Sequence, residues 1–251
     1  MDIQRLKKEL IEQRKTKFKG NIYHYSQVNF AYNSNKIEGG KLTEDETEEI
    51  FTTNSFIPKS EAAVKLDDLI EMKNHFRLFD YCLDIVDNKL TKSIMIEMHK
   101  ILKRNTSEED NPRYNVNGFK IIPNKIGLIN IIETSNPESV EKDLDNLLKW
   151  YNAINKITIE DIIEFHYRFE KIHPFADGNG RVGRMIMFKE CLKNNLMPFI
   201  VLDKDKPYYL RGLKNYQEDK MFLTDTIKYE QDLYEEAAKE FLEFSLDIDD
   251  K

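Results

Sequence analysis

The chain has 251 residues, 40% of them hydrophobic, with 38 Lys and Arg against 45 Asp and Glu for a net charge of −7. That length can bury one large core, and the acidic balance argues against a general nucleic-acid or anionic-membrane surface. Two cysteines and no membrane-length apolar run exclude a disulfide framework, a cysteine zinc site and a membrane span, so a reducing cytoplasm is the expected setting.

Residues 1–20 are rich in Lys, Arg and Glu, with Ile3, Leu6 and Leu10 on one face, which predicts a solvated helix without a signal-peptide core. A second helix is expected from Ser26 to Glu38, with Val28, Ala31, Tyr32 and Asn35 on one side and Gly39-Gly40 ending it. Thr43 and Glu46 form a capping box for the next helix. Residues 60–87 bring Leu69, Met72, Phe76, Phe79, Leu83 and Val86 into phase, an aromatic stripe suited to a core; His75 beside it reads as structural. Another helix starts near Thr91 and turns Ile94, Met98, Ile101 and Leu102 inward. His99 on it has no companion at metal-ligand spacing.

Between Asn105 and Ser135 the pattern changes. Lys120-Ile121-Ile122 and Leu128 to Ile132 are short and β-branched, predicting a small hairpin about a loop at Asn124 to Gly127. Asn136-Pro137 opens a helix with Val140, Leu144, Leu147, Leu148 and Tyr151 in phase. The end of the chain carries Pro198 and Pro207, helical pieces through Phe241 and Phe244, and an acidic tail expected to fray. The fold class is mainly α, a helical bundle with one hairpin and no repeat or linker.

The most informative stretch is His173-Pro174-Phe175-Ala176-Asp177-Gly178-Asn179-Gly180-Arg181-Val182-Gly183-Arg184. Ile162, His166, Phe169 and Ile172 mark a helix before it, and Met185, Phe188 and Leu192 one after it. Pro174 ends the first helix at His173, and the glycines permit close approach of a ligand to the chain. The loop therefore opens a helix N-terminus, where free N–H groups and the helix dipole favour phosphate. Arg181 and Arg184 share one face and can extend that site along a chain of phosphates. Asp177 is a hard oxygen donor of the kind magnesium takes alongside phosphates, and His173 can accept a proton near neutral pH.

His-Pro-Phe-x-Asp-Gly-Asn-Gly-Arg-x-x-Arg resembles, at every specified position, the signature of the Fic family of protein adenylyltransferases. The resemblance implies a Fic-type helical bundle with a β-hairpin flap. Residues 1–90 would form a helical region carrying an inhibitory helix at about 26–39. Residues 91–251 would form the core, with a flap at about 120–134, the active-site loop at 173–184 and the C-terminal helices. His173 would take the proton from a target Tyr, Ser or Thr hydroxyl, which then attacks the α-phosphorus of ATP. Asp177 would hold Mg2+. Gly178, Asn179 and Gly180 would line the anion hole, with Asn179 near the α-phosphate and Arg181 and Arg184 further out. Tyr208-Tyr209 resembles a nucleotide-facing element of the family, though either tyrosine is equally suited to packing.

A second match is independent of the loop. Ser34-Asn35-Lys36-Ile37-Glu38-Gly39 is similar to the inhibitory motif of Fic proteins that carry it N-terminally. Glu38 would then bind Arg184 and compete with the terminal phosphate of ATP, and Ser34 would hydrogen-bond the Glu38 carboxylate. The implied partners are ATP and a protein target docked at the flap, including the protein itself, with neither nucleic acid nor membrane; the family also often forms dimers. Rival readings are removal of AMP from a target, use of another nucleotide, and a non-catalytic nucleotide-binding regulator. His173 and Asp177 argue against the last, since binding alone needs no base.

Overall fold

The computed structural model describes residues 1–16, 18–59, 63–126 and 132–249. Ten α-helices account for most of them: α1 (Ile3–Thr16), α2 (Ile22–Ile37), α3 (Glu44–Thr53), α4 (Leu66–Asp84), α5 (Lys92–Lys103), α6 (Val140–Asn152), α7 (Ile159–Ile172), α8 (Asn179–Lys193), α9 (Lys206–Asn215) and α10 (Met221–Asp249). Local chemistry fixes many of the starts. Asn21 caps α2 through the His24 N–H, Thr91 caps α5 through the Ile94 N–H, and full capping boxes open α3 (Thr43 with Glu46) and α7 (Thr158 with Asp161).

Helix α8 lies at the centre, packed by α1, α2, α4, α5 and α7. Phe30 of α2, Phe79 of α4 and Phe188 of α8 meet there, with ring centroids 5.2 to 6.2 Å apart. One hydrophobic cluster runs from Ile3 to Leu242, so residues 1–90 and the rest of the chain share a core. A smaller cluster of Ala31, Leu42, Ile50, Met72 and Phe76 seats α3.

Several expectations change. Helix α1 is solvated on one side only, because Ile3, Leu6 and Leu10 enter the main core. Helix α2 begins four residues before Ser26 and is buried on nearly every side, polar residues included. The C-terminal segment stays helical to Asp249 where fraying was expected.

The hairpin region departs furthest. Lys120-Ile121-Ile122 is not a strand. Its lysine is buried, with Nζ donating to Asn124 Oδ1 at 2.6 Å, Thr134 Oγ1 at 2.8 Å and the Ile172 carbonyl at 3.3 Å. Those bonds hold this stretch against the end of α7, and the Lys120 backbone N–H is given to the Pro174 carbonyl and not to a neighbouring strand. The strands are β1 (Lys125–Ile126) and β2 (Ile132–Glu133), antiparallel with Lys125 opposite Glu133. Strand therefore begins inside the expected turn at 124–127. Most of the expected second strand, 128–131, lies outside the described residues, and the flap expected over 120–134 is not seen as such.

Candidate active site

His173 follows the last residue of α7 and adopts a left-handed backbone, φ +52°, while its N–H donates to the Phe169 carbonyl at 2.8 Å. This is the ordinary way to end a helix, but it normally falls to glycine or asparagine. A histidine here accepts mild strain. The ring is 18% exposed, and its Nδ1 lies 3.7 Å from Glu170 Oε2.

The loop that follows is held from several directions. The Lys120 N–H donates to the Pro174 carbonyl at 2.8 Å. Phe175 is fully buried and stacks on His99, with centroids 4.1 Å apart and planes 7° off parallel. The two ring nitrogens of His99 lie 3.1 Å from the Val116 and Asp177 carbonyl oxygens. Asn179 is also buried: its Oδ1 accepts from the Phe175 N–H at 2.8 Å, and its Nδ2 donates to the Phe175 carbonyl at 2.9 Å. Its side chain thus latches the loop, and the first turn of α8 beside it has no side-chain cap.

Arg181, Asp177 and Arg184 are already partnered. Asp177 Oδ2 accepts from Lys103 Nζ and from Arg181 Nη2, the latter at 3.1 Å. Burial opposes ionisation of Asp177, but Lys103 and Arg181 outweigh it and hold the carboxyl well below its usual range. Arg181 also donates to Glu71 Oε2 at 2.5 Å and to Asn35 Oδ1 at 3.3 Å. Lys103 Nζ lies 2.6 Å from Glu71 Oε1 and 2.8 Å from Glu108 Oε2. Lys103, Glu71 and Glu108 form this network with the loop, and none was legible as a site residue. Their only signal was a lysine on the inward face of α5 and acids on neighbouring segments.

Arg184 reaches across to α2. Its Nη2 donates to Glu38 Oε1 at 2.7 Å and to the Ser34 carbonyl at 2.9 Å, and its Nε donates to Ser34 Oγ at 3.0 Å. Glu38 and Arg184 therefore meet as expected, but Ser34 binds the arginine in place of the glutamate. The approach depends on Gly180, where a Cβ would stand 2.2 Å from Glu38 Oε1.

The tyrosine pair separates. Tyr209 is buried, with its hydroxyl 2.6 Å from His166 Nε2 and its ring 6.0 Å from the Arg184 guanidinium. Tyr208 is 61% exposed. Neither lines the cavity of about 360 Å³ that opens beside the loop between Asn35, Glu38, Glu71, Asp177 and Arg181. Its size suits a small ligand. Among the described residues no three His, Cys, Asp or Glu side chains converge on a metal position. Asp177, ionised, 47% exposed and next to the open helix end, fits a magnesium ion that draws its other ligands from phosphate and water.

The family model described as Fic/DOC matches residues 89–191, which span α5 to α8 and the whole loop. Over those residues the chain is similar to the Fic/DOC family. It is similar to a "Protein adenylyltransferase Fic" of Nematostella vectensis, 24% identical over 186 residues, 72% of this chain and 41% of that protein. It also resembles a "Probable protein adenylyltransferase" of Aquifex aeolicus, 31% identical over 94 residues, 36% of this chain and 28% of that protein. The chain thus spans less than half the length of these curated relatives. Among solved structures, a Fic-domain-containing signaling protein of Bacteroides thetaiotaomicron superposes with a TM-score of 0.75 at 21% identity, covering 93% of this chain and 94% of that one. Likeness at that identity concerns the fold, and the helical fold is shared. Among the described residues no helix is long and apolar enough to cross a membrane.

Proposed function

We propose that this Fic-like region makes the chain a protein adenylyltransferase, moving AMP from ATP to a Tyr, Ser or Thr hydroxyl of a protein target and held back by Glu38. The observation that carries this reading is the ion pair of Glu38 with Arg184, in the second turn of α8 beside its uncapped N-terminus. An arginine at a helix N-terminus opposes the dipole and is best placed to meet an anion. Here a carboxylate from another helix takes the position a terminal phosphate would need.

In the proposed reaction His173 removes the proton from the target hydroxyl. The oxygen bonds to the α-phosphorus, and the bond to the pyrophosphate oxygen breaks with its electron pair. Backbone N–H groups of the α8 first turn and Arg181 hold the phosphates, and positioning of this kind is the main lever in phosphoryl chemistry. Asp177 would hold magnesium, which when bound neutralises phosphate charge. Because the Glu38 side chain is 39% exposed, it could also orient a water for removal of AMP from a modified protein.

The test is incubation of wild type and Glu38→Gly with each α-labelled nucleoside triphosphate and cell lysate, followed by mass spectrometry of labelled proteins. AMP on a hydroxyl side chain, including one of this chain, supports the reading. Label from a nucleotide other than ATP, or none from either protein, overturns it.

A further inference from the structure

Glu170 carries a charge that packing does not explain. It sits in the last turn of α7, three residues before His173, with only 14% of its side chain exposed. Its Oε1 is buried with no hydrogen-bond partner among the described residues, and the same holds for His173 Nδ1. The 3.7 Å between Oε2 and that nitrogen is a charge contact, longer than a hydrogen bond. Burial works against ionisation of Glu170, yet His173 and the Arg184 guanidinium hold the carboxyl below its usual range.

Two further groups face it. His166, one turn earlier on α7, meets the Tyr209 hydroxyl of α9 through Nε2, while its Nδ1 is buried without a hydrogen-bond partner among the described residues. Arg184 of α8 is committed to Glu38 and Ser34. The α8 backbone closes the remaining side: a Cβ on Gly183 would stand 3.0 Å from Glu170 Oε1 and 2.8 Å from the His166 ring. A buried carboxylate left without full pairing is costly, and an apolar side chain of similar size would fill the space at less cost.

We infer that Glu170 is a positioning residue for His173, holding the imidazole as the Nδ1–H tautomer so that Nε2 is free to take the target's proton. The inference rests on the adenylyl-transfer reading above for what that proton is. The carboxylate stays ionised throughout: the proton passes from the hydroxyl oxygen to Nε2, and Glu170 stabilises the imidazolium that results.

The experiment is nitrogen NMR of the full chain labelled at its histidines, with the His173 signal assigned through His173→Asn, together with rates measured in the Glu38→Gly background. Wild type should show neutral His173 as the Nδ1–H tautomer, and Glu170→Gln should move it toward Nε2–H. The same change should lower kcat at least about tenfold and leave the KM for ATP unchanged. It should also shift the acidic limb of the rate profile to lower pH, while Glu170→Asp should retain part of the rate. An unchanged tautomer and limb in folded Glu170→Gln would overturn the inference. So would a dominant Nε2–H form in wild type, which decides the matter even if the variant does not fold. If Glu38→Gly transfers no AMP, the functional reading fails and the tautomer measurement still judges Glu170.

Discussion

Arg184 binds Glu38 Oε1 at 2.7 Å and Ser34 through two further bonds, so α8 and α2 meet at an ion pair that an incoming phosphate has to break or share. Removing the carboxylate should therefore raise activity, an unusual sign for a change at an active site. Glu38→Gly should increase the initial rate of labelled AMP incorporation at least about tenfold, equivalent to ~1.4 kcal/mol of released inhibition. Arg184→Ala should not reproduce the gain, because it also removes a phosphate contact. An unchanged or lower rate in Glu38→Gly would reject inhibition by this residue.

His173 should be tested with asparagine as well as alanine. Its φ of +52° is tolerated by asparagine but strains alanine. In the Glu38→Gly background, His173→Asn should cut transfer by ~10² to 10⁴ while ATP affinity and thermal midpoint stay near those of the parent. Transfer at the parental rate would remove His173 from the role of base.

Metal removal should separate chemistry from folding. Lys103 and Arg181 already neutralise Asp177, so EDTA should abolish transfer and leave the thermal midpoint of the nucleotide-free protein unchanged. Lys103→Met should do what EDTA does not. It leaves Asp177 and Glu71 to Arg181 alone and takes from Glu108 its lysine partner, and should cost about 3 kcal/mol in denaturant unfolding, the usual scale for breaking one side of a buried pair. A midpoint that falls with EDTA alone would place a metal in the resting fold.

Acid should weaken the fold through three buried histidines. Burial lowers His75 from 6.5 to about 3 and His99 and His166 to about 4, so all three are neutral when folded. As pH falls below 6.5 the unfolded chain binds these protons first, and stability drops by ~1.4 kcal/mol per pH unit for each histidine. The loss continues until the folded groups themselves titrate. At pH 5 the three together should cost about 6 kcal/mol relative to pH 7, read from urea unfolding at both values. His166→Gln and His75→Gln should each flatten that slope.

The loop from His173 to Arg184 was legible because its neighbours in sequence are its neighbours in space: a proline, a helix end and the next helix start determine the geometry. Glu38 was legible by resemblance, and its meeting with Arg184 followed. What sequence could not give was direction across helices. Ser34 lies one turn before Glu38 and could equally point its hydroxyl at the carboxylate or at the guanidinium; contact with α8 decides for the guanidinium. Asn179 was read near the α-phosphate by resemblance alone, and its side-chain bonds to the Phe175 backbone were not legible in the sequence. Lys103 and His99 come from α5, some seventy residues before the loop they hold, and only tertiary packing brings them there. The strands failed for a local reason, since Lys120 satisfies its charge against the end of α7 in place of joining a ladder.

The burial of α2 has a consequence for control. Of its sixteen residues, twelve are buried, on all sides of the helix. Such a helix cannot be peeled away by a partner without opening the main core. Any release of Arg184 must therefore come from rotation of the Glu38 side chain, which is part-exposed at the helix end ahead of Gly39 and Gly40. Rotations of that kind take picoseconds to nanoseconds when exposed, far faster than a turnover. On the proposed reading the inhibition would act as a throttle, not a latch: every molecule would be open for a small fraction of the time, and basal activity would measure that fraction. A binding partner would raise the rate in proportion to how long it keeps one carboxylate turned aside.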